Sequence, residues 1–91
     1  MSGEGYEVIL APRARRAIVR DLPESVAAAA VEFIYGALRD NPRRVGKRLR
    51  DPYASSFSAR RGDYRVIYEI QDRRLVIIVV SIIHRRDAYR R

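Results

Sequence analysis

Ninety-one residues without a cysteine are enough for one small domain and exclude a disulfide framework or a thiolate metal site, so an apolar core or a partner must hold the chain together. The formal charge of +8 is carried almost entirely by arginine, with Lys47 the one lysine, which favours a polyanionic partner such as nucleic acid or an acidic protein segment. The start MSGEGYEVIL lacks the basic segment and long apolar run of a signal peptide, and no stretch approaches the roughly 20 apolar residues of a membrane span, so a soluble, cytoplasmic protein is expected.

The charge is unevenly spread. Residues 1–42 hold five arginines against six acids, net −1, while residues 43–91 hold thirteen arginines and Lys47 against five acids, net +9. Residues 1–5 are small and polar and are expected to be disordered. YEVILA, residues 6–11, alternates Tyr6, Val8 and Leu10 with Glu7 and Ile9, the period of a strand. Pro12 ends it and suits a first helical turn. Ala14, Ala17, Ile18 and Leu22 then recur at helical spacing, predicting a short helix from Pro12 to about Arg20.

PESVAAAAVEFIYGALRD places Val26, Ala30, Phe33, Ile34, Ala37 and Leu38 on one stripe, and its alanines favour a helix that approaches a neighbour closely. Asn41-Pro42 is expected to stop this helix. RRVGKRLRDPYAS reads as a basic connector with turns at Gly46 and Asp51-Pro52. From Ser56 the period changes to two: Phe57 and Ala59 alternate with Ser56, Ser58 and Arg60. Arg61-Gly62-Asp63 turns the chain, and Tyr64, Val66, Tyr68 and Ile70 then alternate with Arg65, Ile67 and Glu69. This is a hairpin with Tyr64 and Tyr68 facing a core. A turn at Gln71-Asp72-Arg73 leads into RLVIIVVSII, which reads as a central strand covered on both sides. The whole is one α+β domain over residues 1–91, β-α-α-β-β-β, with a helical hairpin packed on a mainly antiparallel sheet.

The basic KRLR segment, the hairpin GDYRVIYEI and the closing HRRDAYR resemble the RelE/ParE superfamily of bacterial toxins, the RelE branch in particular, over nearly the whole chain. The resemblance implies the two-layer RelE-like fold and the toxin of a type II toxin–antitoxin system. It further implies a ribosome-dependent endoribonuclease that cleaves mRNA in the A site and inhibits translation, partnered by a RelB-like antitoxin whose complex with the toxin binds operator DNA. ParE-type relatives share the fold and act on DNA gyrase without cutting RNA, and an inactive homologue retained in an antitoxin complex is a third reading. Fold does not choose among them.

RNA is cut without a metal when its 2′-OH attacks the neighbouring phosphate in line, which needs a proton acceptor, cations for the growing charge and a donor for the departing oxygen. Alternation puts Arg65 on the side of the sheet away from Tyr64 and Tyr68, and the resemblance makes it a transition-state clamp. On the same ground Arg85 is a second clamp and Tyr89 a base-stacking residue and possible acid. His84 is the one histidine and has the chemistry for proton transfer near neutrality. Lys47, Arg48, Arg50, Arg60, Arg61 and Arg86 are expected to bind RNA or the ribosome. Relatives carry lysines at the outward positions occupied here by Ser56 and Ser58, which leaves the proton acceptor unassigned. No cofactor is expected and no metal, since Asp51, Asp63, Asp72 and Asp87 lie at turns or ends without ligand spacing.

Overall fold

The computed structural model describes residues 6–50 and 55–84. The expected disorder of residues 1–5, the Asp51-Pro52 turn and the tail beyond His84 lie outside the described residues. Strand β1, Glu7–Leu10, turns Val8 and Leu10 toward the core and leaves Ile9 exposed, as its alternation requires. Helix α1, Pro12–Arg16, starts on the proline and widens into a π-helical turn, Ala17–Asp21, closed by the Leu22 N–H on the Ala17 carbonyl at 2.8 Å. Ala14 and Ala17 are buried, and α1 packs against the last strand.

Helix α2, Glu24–Phe33, also runs on through a π-helical turn, Ile34–Leu38, and buries Ala30, Phe33, Ile34 and Leu38. Pro42, expected to end the helical pattern, opens a further short helix, α3, Pro42–Val45, because proline sits well at a first helical position. The connector then contributes a two-residue strand, β2, Lys47–Arg48. No apolar alternation marks that strand. It is held by tertiary contacts: Tyr68 donates its hydroxyl hydrogen bond to the Pro42 carbonyl, and Gly46 passes so close to that hydroxyl that a Cβ would collide with it.

Strands β3, Ser56–Arg61, and β4, Tyr64–Gln71, form the expected hairpin. Its link is two residues, with Arg61 still paired to Tyr64 and Gly62 supplying φ 52°, the positive value a II′ turn needs at its first position. A 3₁₀ turn, Asp72–Arg74, leads to β5, Val76–His84. The five strands lie in the order β1-β5-β4-β3-β2, with β1 parallel to β5 and the other three pairings antiparallel. The described helices cover one face, where Phe57, Ala59, Val66, Tyr68, Ile77, Val79 and Ile82 join the helical residues in one core.

Strand β5 departs from its expected cover on both sides. Ile78 and Val80 are only half-buried and Ile83 is 39% exposed, since the described helices leave that face open. A bulge also breaks its phase: Ile67 pairs with Ser81 and Tyr68 with Val79, so Val80 is the additional residue. Before the bulge Ile77 and Val79 face the helices, and after it Ile82 and His84 do.

Candidate nucleic-acid interface

Cross-strand partners share a face of a sheet, so the register determines what the open face presents. One row runs Arg60, Arg65, Ile83 across β3, β4 and β5. The next runs Lys47, Ser58, Ile67, Ser81 from β2 to β5. A third runs Ser56, Glu69, Ile78, Ile9 from β3 to β1. Three cations therefore gather at the β2–β4 end of a face whose other end is aliphatic.

Arg60 stands directly opposite Arg65, which places their Cβ atoms about 5 Å apart, and like charges so placed destabilise a sheet. Neither side chain has a hydrogen bond or ion pair among the described residues, nor has that of Lys47, and all three are exposed. Ser56 and Ser58 add hydroxyls and no charge, leaving a shallow floor between the cations. The expectation for Arg65, that it faces away from the helical layer, agrees with its exposure between the buried Tyr64 and Val66.

Other predicted residues fall elsewhere. Arg61 pairs with Tyr64 on the helix side, and its guanidinium lies 4.6 Å from the centroid of the Phe33 ring. Arg48 pairs with Phe57 on that same side, its guanidinium 5.2 Å from the ring centroid. Arg50 is exposed just beyond β2. His84 pairs with Tyr64, so the bulge has turned it to the helix side, and the structure does not bring it to Arg65. Arg85, Arg86 and Tyr89 lie outside the described residues.

Two features position β2. Arg43, in α3, makes a bidentate pair with Asp72 at 2.8 and 2.7 Å, and Tyr6 donates to the same carboxylate at 3.1 Å, tying α3 to β1 and to the β4–β5 turn. The Arg43 hydrogen bonds hold the Asp72 carboxyl below its usual range, while burial and the nearby Asp72 raise the Tyr6 phenol. Beneath β2, Tyr68 is fully buried and stacks on Phe57 with ring centroids 5.6 Å apart. Burial pushes its phenol up to about 12, which keeps it a donor to Pro42 at any physiological pH.

Glu69 carries a signal that sequence reasoning did not use. It lies four residues after Arg65 on an alternating strand, hence on the same face, and it is half-buried with no hydrogen bond or ion pair among the described residues. Among the described residues no three His, Cys, Asp or Glu side chains come together in a way that could hold a metal ion.

The described residues thus form a small mixed sheet with helices on one face and a cationic end on the open one. Residues 8–89 match the family of ParE toxins of type II toxin–antitoxin systems, parDE. The chain is similar to Toxin RelG of Mycobacterium tuberculosis, with 45% identity over 94% of this chain and 98% of that one. It is also similar to Toxin RelE of the same organism, with 46% identity over 93% and 87%. Among solved structures, the RelBE2 toxin–antitoxin complex from Mycobacterium tuberculosis superposes with a TM-score of 0.85 at 43% identity, covering 89% of this chain and 99% of its counterpart. The chain belongs to the RelE/ParE family of toxins of type II toxin–antitoxin systems, and its curated relatives place it with RelE.

Proposed function

We propose that this toxin is a metal-independent endoribonuclease that acts in the cytoplasm on mRNA in the ribosomal A site. The observation that carries the reading is the directly opposed pair Arg60 and Arg65, with Lys47 on the same face. Three cations held together without an acidic partner among the described residues are tolerated at a cost to the sheet, and a phosphodiester would relieve it. In this scheme Arg65 binds the non-bridging oxygens of the scissile phosphate and stabilises the charge that builds there. Arg60 and Lys47 hold the flanking backbone. Arg85 and Tyr89 complete the site as second clamp and stacking residue, as the RelE resemblance implies. Arg48, Arg50, Arg61 and Arg86 contribute to the wider RNA and ribosome contact. His84 leaves the sheet on the opposite face and has no line to a phosphate held at Arg65. A RelB-like antitoxin neutralises the toxin, and the complex binds operator DNA.

The test is primer extension on a defined mRNA in a reconstituted translation reaction, comparing wild type with Arg65→Ala. New 5′ ends in the A-site codon that vanish in the variant support the scheme. Cuts unchanged by the variant would sink it. Serines in place of the lysines expected at positions 56 and 58 favour one second reading, a ParE-like inhibitor of gyrase. Growth arrest with intact mRNA and failed supercoiling would put that reading first.

A further inference from the structure

We infer that Glu69 is the general base of this toxin, accepting the proton of the attacking 2′-OH; the inference rests on the nuclease reading above. The register makes Ser58 and Ile67 a floor between two walls. Arg60 and Arg65 form one wall, Ser56 and Glu69 the other, and Lys47 closes the end beside Ser58. Arg65 and Glu69 are each two residues from Ile67 on one strand, so their Cα atoms stand about 13 Å apart. That span takes two extended side chains with a phosphate and its neighbouring ribose between their tips.

Among the described residues, the other groups of the open face are poorer candidates for a base. Lys47, Arg60 and Arg65 are proton donors in their charged forms, and the two serines are far weaker bases than a carboxylate. Glu7, paired with Val76, belongs to the β1 edge of the sheet, away from the arginines. His84 is on the helix side. Glu69 is half-buried, and its carboxylate oxygens, unpaired among the described residues, still reach solvent, which leaves them open to a bound ribose.

The step balances without a co-reactant. The 2′-O–H proton passes to a Glu69 carboxylate oxygen as the 2′-O–P bond forms. The P–O5′ bond breaks, the 5′ oxygen takes a proton from water, and the products end in a 2′,3′-cyclic phosphate and a 5′-OH. Glu69 then releases its proton to solvent. Arg65 on the opposite wall compensates the phosphorane charge throughout.

The experiment measures single-turnover cleavage of A-site mRNA by wild type, Glu69→Gln and Glu69→Asp on programmed ribosomes, across pH, with affinity for the same ribosomes and circular dichroism recorded for each. Removal of a general base is expected to slow Glu69→Gln about 100- to 10,000-fold, with ribosome affinity and spectrum unchanged. The residual rate should climb with pH as hydroxide takes over. Glu69→Asp should keep a measurable fraction of the rate and the wild-type pH profile. Wild-type cleavage with Glu69→Gln within about threefold of it overturns the assignment while leaving the nuclease reading intact. Parallel loss of affinity and rate in both variants overturns it too, since that is the mark of a structural role. A wild type that cuts no RNA ends the nuclease reading itself, and Glu69 as base with it.

Discussion

Gly46 has an extended backbone, φ −136° and ψ 177°, which any residue adopts, so its requirement for glycine is one of space alone. A Cβ there would strike the Tyr68 hydroxyl and would lie 3.0 Å from the Ser58 carbonyl and 3.1 Å from Tyr68 Cζ. Tyr68 is fully buried and cannot swing away, so Gly46→Ala must either push β2 off β3 or break the Tyr68–Pro42 hydrogen bond. Overpacking a tight site costs about 1–3 kcal/mol. A buried acceptor left without its donor costs about 1–3 kcal/mol more. The alanine returns about 0.4–1 kcal/mol by restricting the unfolded chain. A net loss of about 1–5 kcal/mol follows, larger if the hydrogen bond is lost as well. Tyr68→Phe alone should cost about 1–3 kcal/mol through the orphaned Pro42 carbonyl. In that background the worst clash is gone, so Gly46→Ala should cost much less, and the two changes should couple by about 1–3 kcal/mol. Urea denaturation of the four proteins, followed by circular dichroism because the chain has no tryptophan, measures the cycle. Additive losses would refute the argument that the hydroxyl is what excludes a side chain at position 46.

The other predictions concern charge. Asp72 has a folded pKa depressed below 3.8 by Arg43, so its contribution is present above that value and fades as pH falls through the lower folded one. Asp72→Asn should therefore lower the denaturation midpoint at neutral pH and make little difference in strong acid, and an equal deficit at both would contradict the ion-pair account. Arg60→Gln removes one half of a like-charged cross-strand pair, so it should raise stability by a few tenths of a kcal/mol at low salt, a gain that shrinks as salt screens the repulsion. The same change should weaken ribosome binding and flatten its salt dependence by about one phosphate contact. A variant both less stable and equally salt-sensitive would argue that Arg60 has a packing role.

Much of this was legible because two periods are written plainly into the chain. Tyr64, Val66 and Tyr68 against Arg65, Ile67 and Glu69 gave the hairpin, its buried face and the outward Arg65, while Ala30, Phe33, Ile34 and Leu38 gave the inner side of the long helix. What escaped depends on contacts distant in sequence. Strand β2 has only Lys47 and Arg48, a pair with no β signature, and it exists because Tyr68 and the edge of β3 hold it. The Val80 bulge leaves no trace in an unbroken run of β-branched residues, yet it decides which way His84 faces. Parallel pairing of β1 with β5 is a matter of topology, not of local preference. Glu69 shares the outward face with Arg65 by alternation alone, but its half-buried place beside Ser56 depends on the β3–β4 register.

The placing of β5 between β1 and β4 has a consequence for how the protein comes into being. Strand β5 leaves the ribosome after every other described element, and until it does β1 has no neighbour and β4 has only one. Joining β1 to β5 closes a loop of most of the chain, a slow and late event in folding. The five-stranded sheet behind the cationic face is thus complete only when synthesis has passed His84, and a nascent or truncated chain that stops short of β5 carries Lys47, Arg60 and Arg65 on an unfinished sheet. If the proposed action on the ribosome holds, timing of this kind keeps the sheet unfinished while the chain is still being made.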